Sequence, residues 1–191
     1  MPTKPEEPIL AFKTPKLFEA WIKKHPGPGG LWIRLYKKDS GVKAMTYAEA
    51  LDVALCHGWI DAQKKSYDGQ SWIQRFCPRR PRGIWSKINV GHVERLIKAG
   101  RMRQAGLAQV EAAKADGRWA RAYHGAKESV MPEDFLKRLA KDKQALAFFK
   151  TLNASNTYAI RHRLQTAAKP ETREKRLLAI LAMMKAGKKF H

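Results

Sequence analysis

One stretch of the chain brings together arginine and tryptophan side chains that suit the binding of an anion. Arg75, Arg79 and Arg80 lie between Trp59 and Trp85. The planar guanidinium group of arginine binds a carboxylate or a phosphate through two parallel hydrogen bonds. A tryptophan ring offers a flat surface on which a base, a sugar or a guanidinium group can stack. These residue types therefore predict a pocket for a small anionic ligand or for an acidic segment of a partner protein.

A predicted helix start lies at the end of the same stretch. Ser86 can cap the first turn, and Asn89 follows it closely, after prolines that keep the preceding chain extended. The unpaired N–H groups and the dipole of a helix N-terminus also favour an anion. The predicted ligand-binding residues are Trp59, Asp61, Arg75, Arg79, Arg80, Trp85, Ser86 and Asn89.

Two other interpretations of this stretch are open from the sequence. In the first, the carboxylates of Glu49, Asp61 and Asp68 neutralise the arginines in an ion-pair network that only stabilises the fold. A cross-strand ion pair between Asp61 and Arg75 would belong to such a network. In the second, a raised pKa of Asp61 in the same pocket would support an enzyme of unknown reaction.

The sequence contains no recognised catalytic or metal-binding motif. No HExxH, paired CxxC, P-loop, nucleophile elbow or GxGxxG pattern occurs. His57 lies at a predicted helix end, where an imidazolium is favoured without any chemistry, and Cys56 lies in an apolar helix. We therefore expect a protein that is not an enzyme and that uses no cofactor and no metal ion.

A helix and a β-hairpin must position the arginines and tryptophans. Thr46 and Glu49 form a predicted capping box at the start of this helix, and Gly58 ends it. The hairpin follows, because strand-like runs flank Asp68-Gly69, a dipeptide that suits a tight turn with positive φ.

The rest of the chain predicts an α+β protein that is rich in helix. Residues 31–36 alternate in polarity and indicate a strand with one buried face. We expect a small, mainly antiparallel sheet in the N-terminal half and a helical C-terminal half, with helices starting near Ser155 and Pro170. The predicted organisation is a flexible lead-in over residues 1–8, an α+β core over 9–130 and a helical subdomain over 131–191.

The net charge of the chain is +21, because 38 lysine and arginine residues face 17 aspartate and glutamate residues. Both halves carry the excess, so a cationic surface is predicted and nucleic acid is an alternative partner. Binding to a phosphate backbone should weaken steeply with salt, whereas binding in a pocket should depend on single residues.

Cysteine content and hydropathy bear on the compartment. The two cysteines, Cys56 and Cys77, suit a reducing compartment better than a disulfide-stabilised secreted protein. No apolar run is long enough to span a membrane, and the N-terminus is unlike a signal peptide. We expect a cytoplasmic protein. The oligomeric state is not predicted.

Several segments together resemble the YdeI/OmpD-associated (OmdA) family of bacterial proteins, which are labelled bacteriocin-protection proteins. They are residues 47–61 (YAEALDVALCHGWID), 75–80 (RFCPRR), 85–89 (WSKIN), 100–119 and, more weakly, 168–173. The resemblance implies a non-enzymatic factor in stress response or antimicrobial tolerance. Cys77 departs from the family pattern, which favours threonine there, so no hydroxyl role is carried over to that position.

Overall fold

The computed structural model describes residues 7–191, so residues 1–6 of the predicted lead-in lie outside the described part. The strands are β1 (Ile9–Leu10), β2 (Leu31–Tyr36), β3 (Trp59–Ser66) and β4 (Ser71–Pro78). The helices are α1 (Pro15–Lys24), α2 (Tyr47–Cys56), α3 (Lys87–Lys98), α4 (Gln104–Ala115), α5 (Glu133–Leu139), α6 (Lys143–Lys150), α7 (Ala154–Gln165) and α8 (Pro170–Lys185), with a short 3₁₀ helix at Lys38–Ser40. The α+β class, with the sheet in the N-terminal half and helices after it, is confirmed.

The strands form one sheet in the order β1-β2-β4-β3. The β1–β2 pairing is parallel, and the other two pairings are antiparallel, as the mainly antiparallel prediction requires. Along β2, Leu31, Ile33 and Leu35 are buried while the residues between them are half-buried. This period of two confirms that one face of the sheet is buried more deeply than the other.

The described chain divides into two compact units. The first contains the residues up to Gly83 together with residues 89–120. The second contains Ile84–Ile88 together with residues 121–191. The division predicted from the sequence, between residues 130 and 131, lies further along the chain.

The core of the first unit lies between the sheet and helices α1 and α2. Phe18 of α1 and Phe76 of β4 are both fully buried, and their ring centres lie 5.8 Å apart in an edge-on arrangement. At the start of α2 the hydroxyl of Thr46 accepts from the N–H of Glu49 (3.3 Å), and the Glu49 carboxylate accepts from the N–H of Thr46 (2.8 Å). The predicted capping box is therefore confirmed.

The hairpin between β3 and β4 exists, but the positive φ predicted for its turn is absent from Gly69. The side chain of Asp68 shapes the loop instead. Its Oδ1 accepts from the N–H of Gln70 (2.9 Å) and from the hydroxyl of Ser71 (2.7 Å). A side-chain turn of this kind needs no left-handed residue, so the prediction failed on turn type rather than on location.

The core of the second unit is built by α5 to α8. Phe135, Leu139, Ile160, Leu164 and Leu177 are among its fully buried side chains. Between the helices, the guanidinium group of Arg173 donates two hydrogen bonds to the carboxylate of Asp134, at 2.6 and 2.8 Å.

The N-cap of α7 lies two residues before the predicted one. The carboxamide of Asn153, rather than Ser155, accepts from the N–H of Asn156 at 3.0 Å and caps the helix. Pro170 stands at the start of α8 as predicted.

The segment 84–88 contributes a short extended pairing to the second unit. Ser86 forms a parallel bridge with Tyr123. The N–H of Tyr123 donates to the carbonyl of Trp85 (2.9 Å), and the N–H of Lys87 donates to the carbonyl of Tyr123 (2.8 Å).

Candidate functional site

A cavity of about 350 Å³ in the first unit contains two of the predicted ligand-binding residues, Trp59 and Arg79. Lys23, His57 and Gln109 also line it. We call it the Trp59–Arg79 cavity. It brings a large ring together with four nitrogen-bearing side chains that can donate hydrogen bonds to an anion.

Gly58 sets the backbone conformation next to Trp59 and accepts a backbone hydrogen bond from Arg79. Its φ is +74°, and a Cβ atom at this position would lie 2.8 Å from the carbonyl oxygen of Ala105. Glycine alone meets both conditions without strain. The carbonyl of Gly58 accepts from the N–H of Arg79 at 3.0 Å. This hydrogen bond joins the end of α2 to the residue after β4, and both Gly58 and Arg79 line the cavity.

The Trp59 ring is held by a second tryptophan. The ring centre of Trp21 lies 6.0 Å from that of Trp59, with the two planes at 84°. The edge of one ring thus meets the face of the other, which is a favoured aromatic geometry. Trp59 is only 5% exposed, so its position is set by the fold before any ligand arrives.

A single carboxylate, that of Glu19, lies among the cationic side chains beside the cavity. Its Oε1 is 3.0 Å from Nζ of Lys23, 3.3 Å from Nε2 of His57 and 3.1 Å from a guanidinium nitrogen of Arg103. The hydrogen bond from Lys23 is the largest cause that lowers the pKa of Glu19 to about 2, and His57 and Arg103 add to it. One negative charge is thus shared by three basic side chains.

His57 is held neutral in this cluster. Burial lowers its pKa and outweighs the opposing effect of the hydrogen bond to Glu19. A neutral imidazole can still donate from Nε2 to the carboxylate while presenting its ring to the cavity. The charge next to the cavity therefore comes from Lys23, Arg79 and Arg103 rather than from His57.

We expect the substitution Glu19→Gln to destabilise the protein by about 1 kcal/mol at neutral pH, a modest value because water screens a partly exposed ion pair. The folded-state pKa of Glu19 is depressed, from 4.5 to about 2. The contribution of Glu19 to the free energy of unfolding is therefore complete above about pH 4.5 and is lost as the pH falls towards 2. Urea unfolding of the wild type and of Glu19→Gln between pH 7 and pH 2.5 measures how far their free energies of unfolding converge.

The matched control for Glu19→Gln is Glu111→Gln. Among the described residues, Glu111 forms an ion pair with Lys114 at 3.3 Å, on an exposed helix face. Its replacement should change the free energy of unfolding by less than about 0.5 kcal/mol. A Glu19→Gln penalty that stays constant down to pH 2.5 would contradict the assigned charge cluster.

A smaller cavity of about 160 Å³ shares His57 with the first one and is also lined by Glu19, Cys56 and Arg101. Burial is the largest cause that raises the pKa of the Cys56 thiol. A thiol held in its protonated form is a poor nucleophile, and this supports the earlier interpretation of Cys56 as a core residue.

The structure separates Asp61 from Arg75. In the hairpin Asp61 stands opposite Phe76, so it shares the more deeply buried face, whereas Arg75 points to the other face. The hydroxyl of Tyr47 donates to Asp61 at 2.8 Å. Arg75 instead binds the carboxylate of Glu7 with two hydrogen bonds, at 2.6 and 2.5 Å. The ion pair considered between Asp61 and Arg75 is therefore wrong, because the register places them on opposite faces.

The other two carboxylates of the expected network also have partners elsewhere. Glu49 belongs to the capping box, and Asp68 binds the guanidinium group of Arg34 at 2.6 Å. The arginine that neutralises Asp68 thus comes from β2 and not from the predicted cluster.

The remaining predicted site residues are spread over the two units. Arg80 is exposed, and Asn89 is half-buried in the second position after the start of α3. Trp85 and Ser86 are buried and belong to the second unit. Their assignment as ligand-binding residues stays a prediction.

Sequence reasoning missed Lys23 and Gln109 as parts of the cavity, because α1 and α4 are remote from the arginine stretch in the chain. A partial signal existed in Gly58, since a glycine at a helix end often permits close approach of another backbone. The approaching segment begins at Ala105, next to the residues of α4 that line the cavity.

Residues 7–191 contain neither a cluster of metal-ligating side chains nor a membrane-spanning helix. Within residues 7–191, no three histidine, cysteine, aspartate or glutamate side chains are grouped so as to hold a metal ion. Among the helices of this same range, none combines the length and the apolar character needed to cross a membrane.

Two family models match separate parts of the chain. One is described as "Domain of unknown function (DUF8412)" and matches residues 10–109. The other is described as "Bacteriocin-protection, YdeI or OmpD-Associated" and matches residues 128–187. Most of the motifs that carry the resemblance lie in the first segment, and residues 168–173 lie in the second. The second match suggests a bacteriocin-protection-like role at the level of the family. No curated protein and no solved structure matches the chain.

Proposed function

The chain belongs to the family described as "Domain of unknown function (DUF8412)" and carries the domain of the bacteriocin-protection (OmdA) family, and from this premise we propose that it is a non-enzymatic tolerance factor. It binds a small anionic ligand, or an acidic segment of a partner protein, in the Trp59–Arg79 cavity. It acts in the stress response to bacteriocins or related antimicrobials, in the cytoplasm. Its ligand is bound and released unchanged.

The observation that carries this proposal is the composition of the cavity lining. Lys23, His57 and Arg79 line it, and none of its lining residues is an aspartate or a glutamate. A cavity of about 350 Å³ lies within the size range of small-ligand sites, roughly 300 to 1,000 Å³. A mostly apolar wall with a few charged donors is the usual composition of a site for a small anion.

The surroundings of Asp61 support binding over catalysis. Asp61 does not line the Trp59–Arg79 cavity, and its carboxylate is engaged by the hydroxyl of Tyr47. Burial, followed by the charge of Asp61, raises the pKa of that hydroxyl, so the tyrosine stays protonated and keeps donating. A carboxylate that is fixed in this way is poorly placed to exchange protons with a ligand in the cavity.

Nucleic acid is a second candidate partner because of the half-buried face of the sheet. Nζ of Lys65 lies 4.6 Å from the ring centre of Trp32. The guanidinium carbon of Arg34 lies 4.8 Å from the Tyr36 ring and 5.0 Å from the Tyr67 ring. Aromatic rings next to cationic side chains on a sheet are suited to single-stranded nucleic acid, whose bases stack on the rings. The charge of Arg34 is paired with Asp68, so Lys65 is the cation that would meet the phosphate backbone.

The test compares Arg79→Gln with its sequence neighbour Arg80→Gln. Both changes remove one positive charge, but only Arg79 lines the cavity. Thermal-shift titrations use citrate, glutarate, inorganic phosphate and glucose 6-phosphate as small anions, and a single-stranded oligonucleotide, each at two salt concentrations. We expect a small anion to stabilise the wild type and Arg80→Gln. Its affinity for Arg79→Gln should be lower by about tenfold or more, since a charged hydrogen bond contributes roughly 1.5–3 kcal/mol.

The outcomes separate the two candidates. If a small anion stabilises the wild type and Arg80→Gln but not Arg79→Gln, the proposed binding site in the cavity is supported. If the oligonucleotide alone binds, equally well to both variants and with an affinity that falls steeply with salt, the cavity proposal is wrong and the sheet face is favoured. If the two variants lose the small anion equally, general charge rather than the cavity explains the binding.

A further inference from the structure

We infer that a second cavity, in the helical unit, binds a nucleoside monophosphate or a similar planar ring that carries a phosphate. Its volume is about 630 Å³, and it is formed by one face of α7, by α8 and by the segment around Tyr123. We call it the Tyr158–Arg163 cavity. All of its lining residues belong to the second unit, so this inference is independent of the function proposed above.

Three rings, those of Tyr123, Tyr158 and His162, line this cavity. The centre of the His162 ring lies 4.8 Å from that of Tyr123, with the planes at 85°, and 5.8 Å from that of Tyr158. The Tyr123 and His162 rings meet edge to face, and the Tyr158 ring is tilted by 53° to that of His162, so the three rings contact one another. An ordered aromatic wall can stack on a planar heterocycle at little cost in side-chain entropy.

Two guanidinium groups provide the charge. Arg163 and Arg176 line the cavity, while none of its lining side chains is an aspartate or a glutamate. Nη1 of Arg176 donates to the carbonyl of Arg163 (2.8 Å) and to the hydroxyl of Thr166 (3.3 Å). Both acceptors are neutral, so they hold the group in place without cancelling its charge.

The position of Arg163 is set by the C-terminal residues. Its guanidinium carbon lies 4.5 Å from the ring centre of Phe190. The carboxamide oxygen of the fully buried Asn156 accepts from the N–H of Phe190 (2.9 Å) and of His191 (3.2 Å). The tail is thereby fixed next to the cavity, and it carries a stacking partner that orients Arg163.

His162, Arg163 and Arg176 all line this cavity. Burial lowers the pKa of His162, and both arginines lower it further. No carboxylate within residues 7–191 lies at ion-pair distance from either arginine in the structure. A phosphate is the ligand group that meets two forked donors best, because each fork can bind two of its oxygens.

The size and the two-part lining together identify the ligand class. Cavities of roughly 300 to 1,000 Å³ hold small organic ligands rather than single ions. A lining that contains both aromatic rings and arginines suits a molecule that combines a flat ring with a phosphate. Free nucleotides and the phosphorylated end of a nucleic acid share this chemistry.

The experiment titrates the full chain with AMP by calorimetry, and with adenosine and inorganic phosphate as the two halves of the ligand. We expect AMP to bind, and each half to bind more weakly. Arg163→Gln should weaken AMP binding by about tenfold or more through the lost charged hydrogen bonds. Tyr158→Leu should weaken it by about tenfold through lost stacking.

Two control variants make the result specific. Lys175→Gln removes the same charge from an exposed position of α8 that does not line the cavity, and its affinity for AMP should equal that of the wild type. Arg79→Gln in the first unit should also leave AMP binding unchanged. Far-UV circular dichroism of each variant verifies folding, and Arg163, being exposed, provides a substitution that the core tolerates.

The binding data for these variants support or overturn the nucleotide site in the Tyr158–Arg163 cavity. Loss of AMP binding in Arg163→Gln and Tyr158→Leu, with both controls intact, supports the site. A 5′-phosphorylated oligonucleotide that displaces AMP supports it too and assigns it to nucleic-acid ends. The inference is overturned if AMP, GMP, CMP and UMP all fail to bind the wild type at millimolar concentration. It is also overturned if Arg163→Gln and Lys175→Gln weaken binding equally, or if phosphate alone binds as tightly as AMP.

Discussion

Replacement of Gly106 by alanine is expected to lower the free energy of unfolding by about 3 kcal/mol, at the upper end of the usual range for an overpacked core. Gly106 lies on α4 where this helix meets the C-terminal end of α2. A Cβ atom there would lie 2.3 Å from the carbonyl oxygen of Cys56 and 2.8 Å from that of Leu55. Because the N–H of Arg103 already donates to the Cys56 carbonyl at 3.1 Å, the two backbones cannot separate without losing this bond.

The control for Gly106→Ala is the same substitution at Gly91. Gly91 is an exposed position of α3, and a Cβ atom there would have no neighbour within 4 Å. Alanine should therefore stabilise the protein by up to about 1 kcal/mol, through its higher helix propensity and the less flexible unfolded chain.

Urea unfolding followed by tryptophan fluorescence measures both glycine variants, since tryptophans 21, 32, 59, 72 and 119 all lie in the first unit. The two substitutions are chemically identical, so opposite signs would isolate the effect of close helix packing. Equal effects of the two would refute the close approach of α4 to α2.

Replacement of Leu177 by alanine is expected to destabilise the second unit by about 3 kcal/mol, within the range of roughly 2 to 5 kcal/mol known for buried leucines. Leu177 is fully buried on α8 and belongs to the same core as Phe135 and Ile160. The substitution removes apolar surface from this core and leaves a cavity between helices that are fixed by their other contacts. Thermal unfolding followed by far-UV circular dichroism detects the change, because this unit is helical.

The adjacent residue Leu178 provides the control for Leu177→Ala. It is 54% exposed, so Leu178→Ala should change the free energy of unfolding by less than about 0.5 kcal/mol. Two leucines side by side on one helix thus differ only in the face they occupy. If Leu177→Ala and Leu178→Ala lowered the free energy of unfolding by similar amounts, α8 would have to be rotated from the orientation described above.

Local sequence signals predicted the elements around the site well. The capping box of α2, the alternation of β2 and the proline at the start of α8 each depend on residues close together in the chain, and all three are confirmed. The position of the hairpin was predicted for the same reason. The type of its turn was predicted wrongly, because an aspartate side chain can replace the backbone geometry that a glycine would supply.

The partners of the charged residues were not predictable in the same way. Arg75 binds Glu7, which the sequence assigned to a flexible lead-in, and Asp68 binds Arg34 from a different strand. These pairings depend on strand order and register, which are set by packing and not by composition. The cavity residues Lys23 and Gln109 escaped prediction for the same reason.

The Tyr158–Arg163 cavity did leave a trace in the sequence. Ser155, Tyr158, His162 and Thr166 recur at intervals of three and four, which places them on one face of α7. The buried residues Ile160 and Leu164 define another face of the helix. A helix whose second face carries rings and hydroxyls, rather than the usual charges, merits inspection as a binding surface even before its neighbours are known.

The backbone pairing of Trp85 with Tyr123 affects which segments of this protein can be recombined or expressed separately. Ile84–Ile88 falls inside the segment that matches the first family model, yet it belongs to the second structural unit. Recombination that joined matched segments from different ancestors would bring a foreign segment to the bridge with Tyr123. An expression fragment that begins at residue 121 would lack Ile84–Ile88, the segment that pairs with Tyr123.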